Sequence, residues 1–453
     1  VTARFWIVIA FLIATLAGGL LVAPRLEGEP PAIAELPGLE VGREPRPLTV
    51  EVSDEGSGLR SVELRVLSAG GARTLAERQF PGSLVGGGDA RSERIEISLD
   101  AGELGLPDGP ATLVVVARDW SMRAGFSGNG SERSTSLTVD TKPPLLRVQS
   151  GLTYVYRGGS AAVLYSLGES TPQDGVRVGD VFFQGHPLDP ADPASLDRIA
   201  IFAIPVSAPA NPDVRIVAQD GAGNRSAVSF ALRIFDREFG DSSIELSPSF
   251  LDGVVRPLAE SNGLAGRDLR ETFKNVNEVL RGRNEARIRE AVAESRSERR
   301  WQGAFEQQRG SQVTSRFAEK RTYFLDSEPI SEAVHYGFDL ASTSGVEVTA
   351  ANDGVVVFAG DLGIYGQCII VDHGLGVHTL YAHLAQLDVA EGDAISKGQT
   401  LGRSGATGLA GGDHLHFAVL VGGEYVDPLE WWDPKWVRSH VEEQLLAPRT
   451  PPG

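Results

Sequence analysis

Cysteine is almost absent. Cys368 stands alone in 453 residues, so no disulfide can form within the chain and each domain must stand on its packed core. It sits in the apolar run Gln367-Cys368-Ile369-Ile370-Val371, which reads as a buried strand, and a core thiol is expected there. Positive charge is also short: 42 Lys and Arg against 60 Asp and Glu leave a formal net charge of −18. That argues against a nucleic-acid partner, since phosphate binding needs a basic surface, and a solvated acidic surface is expected instead. The length excludes a single compact core, and a 42% hydrophobic content is that of a globular protein. Two to four domains are expected.

The chain opens on one long uncharged stretch, Phe5 to Ala23, between Arg4 and Arg25. Its length is close to the roughly 20 residues a bilayer-spanning helix needs. Pro24 directly after Val22-Ala23 makes a poor cleavage site, so residues 1–25 are read as an uncleaved inner-membrane anchor. Arg4 on the cytoplasmic side places the bulk of the chain in the periplasm. With no cysteine nearby, a lipoprotein is not expected. Residues 26–47 are rich in Pro, Glu and Gly and suit an extended spacer.

Period-two patterns follow. Val62, Leu64 and Val66 alternate with polar residues, as do Ile95, Ile97 and Leu99, then Leu113, Val115 and Ala117, with glycine-rich turns between; this predicts a sandwich. Val115 to Asp119, Gly128-Asn129 and Leu137 to Asp140 are echoed by Ile216 to Asp220, Gly223-Asn224 and Phe230 to Leu232. Asp119 and Asp220 stand about a hundred positions apart, the length of one immunoglobulin-like domain. Two such domains are expected, at 48–143 and 144–238. Their repeated aspartates fit Asx-type turns better than calcium sites, which take six to eight oxygens.

From Phe239 the period changes. Leu269, Phe273, Val276 and Leu280 fall at helical spacing behind Asp268, a cap; Gly282 is expected to end that helix and Asn284 to cap a second carrying Ile288 and Val292. The 239–300 segment reads as a helical linker whose apolar face needs a partner and which could pack over a groove in the next domain. The stretch Arg267 to Arg321 carries more Lys and Arg than Asp and Glu, which suits a solvated face or a contact with anionic lipid or wall polymer. Residues 301–436 return to short strands with glycine turns, an antiparallel β-sheet domain, and 437–453 form a tail ending Pro-Arg-Thr-Pro-Pro-Gly. The whole reads as a mainly β, multidomain protein.

Chemistry concentrates in three pieces: His335-Tyr336-Gly337-Phe338-Asp339, Tyr381-Ala382-His383-Leu384 and His414-Leu415-His416-Phe417. Histidine and aspartate are metal and proton-transfer residue types. Residues two apart on a strand share a face, so His414 and His416 can lean into one site. In an extended strand His335 and Asp339 would stand about 13 Å apart, so a bend is expected at Gly337, where glycine gives the backbone freedom.

These pieces, with Ser315-Arg316-Phe317, Gly354-Val355-Val356, His373-Gly374, Lys397-Gly398-Gln399, Gly405 to Gly408 and Asp427-Pro428, resemble the lysostaphin-type (LytM-like) zinc endopeptidases that cut peptidoglycan cross-links. The resemblance runs from about Ser311 to Trp432. It implies that His335, Asp339 and His416 bind Zn2+ and that His383 and His414 assist catalysis. It also implies peptidoglycan as substrate, with cell-wall or division proteins as possible partners. Degenerate relatives instead activate another wall hydrolase without catalysing, but those have usually lost ligands, and all five positions are kept here. One departure stands out: the family usually has Phe-Gly with Arg soon after, whereas this chain has Phe317-Ala318-Glu319-Lys320-Arg321 and then the long segment Thr322 to Val334. That change concerns the rim of the groove.

Overall fold

The period-two runs are where the strands fall. In this computed structural model, which describes residues 3–83 and 86–446, Val62, Leu64 and Val66 point inward from the strand Leu59–Ser68 and are fully buried. The end of the expected tail, from residue 447, lies outside the described residues. The chain divides into two compact units, residues 1–144 with 219–225, and residues 145–218 with 226–453.

The first unit places a three-stranded sheet (Ala32–Ile33, Arg46–Ser53, Ser92–Leu99) and a five-stranded sheet (Leu39–Val41, Gly130–Val139, Gly109–Asp119, Leu59–Ser68, Gly71–Gln79) around one apolar core. Two sheets with a shared interior make a β-sandwich, and the Pro-rich segment contributes two of its short strands. Asp119 accepts from the backbone N–H groups of Ser121 and Asn129, and Asp220 from that of Asn224; both carboxylates tie their own turns, as Asx-type residues do. Ahead of the sandwich, Ala3–Val22 is a 20-residue helix on which Phe5, Trp6, Ile7 and Phe11 are exposed. Among the described residues, no helix is long and apolar enough to cross a membrane.

The second unit starts with a four-stranded sheet, in spatial order Leu146–Val148, Ser160–Leu167, Asp197–Ala203, His186–Pro187. Its main sheet runs Gln312–Ser315, Phe338–Ala341, Leu415–Val421, Val377–Leu387, Gln367–Gly374, Gly354–Asp361 and Ala394–Ile395, antiparallel throughout. Strand alternation sends successive residues to opposite faces. Phe417, Val419 and Val421 join Phe338, Leu340 and Tyr381 in a core that includes Trp301, Phe305 and Trp431. Ala418 and Leu420, with Leu380, Ala382, Cys368 and Ile370, form the other face. The sheet is therefore buried on both sides, and Cys368 is the fully buried core thiol expected.

What covers the second face is the helical segment. Asp268 caps it, its side chain accepting from the N–H of Glu271. It does not stop at Gly282: Leu269–Lys274, a wider π turn at Asn275–Leu280, and Arg281–Ala291 follow without a break. Asn284 is no cap either, because its side-chain oxygen accepts from the N–H of Ile364 across the interface. Phe273, Val276, Leu280, Ile288 and Val292 make one buried stripe against the sheet. A second helical stretch, Pro248 to Ser261, was not expected. Ser247 as cap and Pro248 at the first helical position were the available signal.

Glu430 is buried where Leu429 to Trp436 closes the unit. Its Oε2 accepts from the backbone N–H of Ser160 at 2.8 Å. Burial pushes its pKa up to about 8; the Ser160 N–H opposes this and the charge of Asp427 adds to it. An acid whose folded-state pKa is raised contributes stability that is full below its unfolded value, here 4.5, and is lost as pH rises through about 8. Glu430→Gln keeps the acceptor without the titration. The loss of stability between pH 6 and 8, measured by denaturant melts, should be smaller in the variant than in wild type by roughly 2 kcal/mol.

Candidate active site

The first ligand candidate reaches the site through a hairpin. Segment 319–335, which contains the long stretch Thr322 to Val334 noted in the sequence, pairs Glu319–Leu325 with Glu328–His335. Its turn residues Asp326 and Ser327 both take positive φ, as the two-residue turns that match strand twist require. The hairpin begins at Ala318, with φ 59°, a conformation glycine takes most easily. The chain then bends at Gly337, between the strand ending at His335 and that starting at Phe338. The reason for glycine there is close approach rather than backbone freedom, since a Cβ would stand 2.6 Å from the Phe417 carbonyl oxygen and 2.7 Å from the His416 ring.

Sheet register brings in the rest. Asp339 lies directly opposite His416, and His416 opposite Ala382, so all three share the face that carries the helical segment. His383 follows at φ 63°, a left-handed conformation that costs about 1–2 kcal/mol for a non-glycine residue. It interrupts the alternation there, and its ring stands 4.8 Å from that of His414 and 5.9 Å from that of His416. His414 is held by a single bridge to Gly405. All five residues singled out in the sequence therefore gather at one place. They line a cleft of about 400 Å³ whose walls include Phe250, Phe273 and Arg281 of the helical segment and Arg321 of the hairpin.

His335 Nε2, His416 Nδ1 and Asp339 Oδ1 stand 2.9 Å from one another. The Nδ1–H of His335 donates to the Arg316 carbonyl oxygen at 3.0 Å, leaving a lone pair on Nε2. His416 Nε2 is buried with no partner among the described residues, so its Nδ1 is the atom engaged. Two imidazole nitrogens and a carboxylate oxygen are a zinc donor set, and tetrahedral zinc with bonds of about 2.0–2.1 Å spaces its ligands about 3.3 Å apart. The residues fit such an ion. A second carboxylate group, Glu27, Asp54 and Asp119, also comes together in the first unit. The sequence showed no such cluster, and in it Asp54 and Asp119 are already engaged by the backbone N–H groups of Gly58, Ser121 and Asn129.

The Nδ1–H groups of His383 and His414 donate to the carbonyl oxygens of Thr407 and Gly412, both at 2.8 Å. That fixes their tautomer and leaves Nε2 of each available to the cleft. Burial, with His416 and His414 nearby, pulls His383 down to a pKa of about 3. Burial acts the same way on His414, but Asp339, 3.6 Å from its Nε2, more than offsets it and leaves His414 above the ordinary imidazole value. Burial raises the Asp339 carboxyl, yet the imidazoles of His335, His414 and His416 outweigh it and hold it well below the carboxylate range.

Three further polar residues near these strands, Asp413, His373 and His378, could orient a histidine or serve the scaffold, and they serve the scaffold. Asp413 accepts from the hydroxyls of Ser404 and Ser344 and the N–H of Gly345, tying loops rather than orienting a histidine. His373 is fully buried between the Asp353 carbonyl and the Thr379 hydroxyl, and His378 is buried beside Asp372. Sequence reasoning missed Arg321 as a site residue: its Nη2 donates to Asp339 Oδ2 at 2.9 Å.

Residues 333–428 match the model of peptidase family M23; the C-terminal part of the chain is a peptidase M23 domain. Among curated proteins it is similar to the DD-carboxypeptidase/endopeptidase Mpg of Neisseria meningitidis serogroup B, 41% identical over 96 residues, 21% of this chain and 22% of the relative. It is also similar to the peptidoglycan DD-endopeptidase ShyA of Vibrio cholerae, 33% identical over 120 residues, 26% and 27% of the two chains. A lipoprotein NlpD/LppB homolog of Pseudomonas aeruginosa is 36% identical over 102 residues, 22% and 33%. The chain thus spans between about a fifth and a third of the length of these relatives.

Ala318, 2% exposed and left-handed, starts the hairpin that carries His335. A β-branched side chain is a true outlier at that φ and would also overpack the site. Ala318→Val should therefore lower unfolding stability by roughly 2–3 kcal/mol, measured by urea denaturation. A loss under about 0.5 kcal/mol would contradict the strain argument.

Proposed function

We propose that the protein is a zinc endopeptidase that hydrolyses peptide cross-links of peptidoglycan. The observation that carries this reading is the convergence of His335, Asp339 and His416 on one point, with His383 and His414 beside it in a cleft. Similarity of the M23 domain to DD-endopeptidases of other bacteria supports the substrate class. A zinc ion held by the three ligands would supply an acidic bound water and a Lewis acid for the scissile carbonyl. The chain's own part is proton handling and orientation. His383 and His414, their Nδ1–H groups committed to backbone carbonyls, present Nε2 to the cleft, where one takes the proton of the attacking water and the other serves the oxyanion or the leaving amine. Phe250 and Phe273 exclude water from one wall.

The regulator alternative, a domain that activates another hydrolase, is disfavoured because no member of the five-residue set is missing. The membrane anchor and periplasmic location belong to the same proposal, and their support is the apolar run Phe5 to Ala23 itself. Through that helix the inner membrane would be a partner.

Two tests follow from these roles. The full-length chain in detergent should bind one zinc, and His335→Ala should abolish it; wild type with no zinc after reconstitution would sink the reading. His383→Ala and His414→Ala should keep the metal but lose about a hundredfold or more in turnover, read as release of cross-linked muropeptides from purified sacculi by mass spectrometry. Wild-type rates in both variants would favour the regulator.

A further inference from the structure

The two oxygens of the Asp339 carboxylate face different partners. Its Oδ1 faces His335 Nε2 and His416 Nδ1 at 2.9 Å each, with His414 Nε2 at 3.6 Å. Its Oδ2 faces away from that group and accepts from Nη2 of Arg321 at 2.9 Å. Both side chains are largely withdrawn from water, Arg321 18% and Asp339 13% exposed, so neither has solvent as an easy substitute. Arg321 is itself fixed by backbone on two sides: it pairs with Ala333 within the hairpin and with Ser242 of the neighbouring parallel strand Asp241–Glu245. The hairpin that delivers His335 therefore delivers Arg321 as well.

A carboxylate has two equivalent oxygens and can bind a metal through one or both. If both turned to the ion, the second would take the place that a catalytic site keeps open for water. We propose that Arg321 is a positioning residue for the metal-binding carboxylate: by holding Oδ2 of Asp339, it leaves Oδ1 as the single oxygen turned to His335 and His416. This rests on the zinc reading above. Two physical effects of Arg321 oppose each other. Its positive charge beside a divalent cation disfavours the ion, whereas its hydrogen bond orients the ligand, and partners of metal ligands are worth about 10–100-fold in affinity. The inference is that orientation wins.

The test is zinc affinity, by chelator competition on the full-length chain in detergent, together with the visible spectrum of the cobalt(II)-substituted protein, whose band intensity reports four against five ligands. Arg321→Thr suits a strand but cannot reach Asp339; Arg321→Met fills the volume without a donor; Arg321→Gln removes the charge and keeps a donor. Thr and Met should weaken zinc binding about 10–100-fold and dim the cobalt bands, while Gln stays within about threefold of wild type. Zinc affinity within twofold of wild type and an unchanged cobalt spectrum in whichever of Thr or Met folds would overturn the proposal, as would tighter binding. Gln weakening as much as Thr would overturn it too, since the hydrogen bond would then not be the cause. Failure of wild type to bind zinc or cobalt is a separate outcome: it removes the zinc reading and this inference with it, whereas the variant results bear on Arg321 alone.

Discussion

One register in one sheet carries the site: Asp339 opposite His416, on antiparallel strands whose neighbour places Ala382 opposite the same histidine. Directly opposed residues have α-carbons about 4.5–5.5 Å apart and side chains on the same face. A one-residue slip would send Asp339 into the aromatic core and bring Phe338 or Leu340 to the cleft. That slip is opposed by the burial of Phe338, Leu340, Phe417 and Val419 against Trp431 and its neighbours. The apolar core on one face is thus what holds a polar constellation together on the other. Gly337 completes the arrangement, since only a residue without a Cβ lets the bend pass so close to the His416 ring.

The residue types and their order along the chain were legible from the sequence because local rules suffice for them. His414 and His416 both turn to Asp339, the bend falls at Gly337, and the turn aspartates close their own loops. What was not legible depends on tertiary partners. Gly282 and Asn284 carry helix-stop and helix-start chemistry, yet the helix runs through both, because the Asn284 side chain is used on the Ile364 backbone and the stripe from Phe273 to Val292 is paired with the sheet. Tertiary packing outweighs a propensity worth at most about 1 kcal/mol. Arg321 was seen only as part of a departure from the family pattern. Its role depends on the hairpin turning it back toward a residue eighteen positions on, and no spacing rule encodes that.

Ala318 shows the same limit from the other side. Ala318 adopts a left-handed backbone that glycine takes most easily. The surroundings must then hold the conformation: the Ala318 N–H donates to the His335 carbonyl oxygen at 2.7 Å, and the buried Phe317 ring meets Phe239 edge-on. The direction of the hairpin, and with it His335, depends on that backbone shape.

The helical segment was expected to link domains and to need a partner for its apolar face, with packing over the groove as a further possibility; the partner of that face is the sheet itself. Its stripe is core: Phe273, Val276 and Leu280 are fully or almost fully buried against Cys368, Ile370, Leu380, Ala418 and Leu420. Large-to-small changes at such sites cost about 2–5 kcal/mol each, so a whole stripe cannot leave the sheet without unfolding this part of the unit. Phe273 belongs to that stripe and to the cleft wall at once. The segment is therefore a fixed wall of the cleft and not a removable cover. Because His335, Asp339 and His416 lie on the face it covers, the packing that stabilises the sheet also sets the width of the cleft beside His383 and His414.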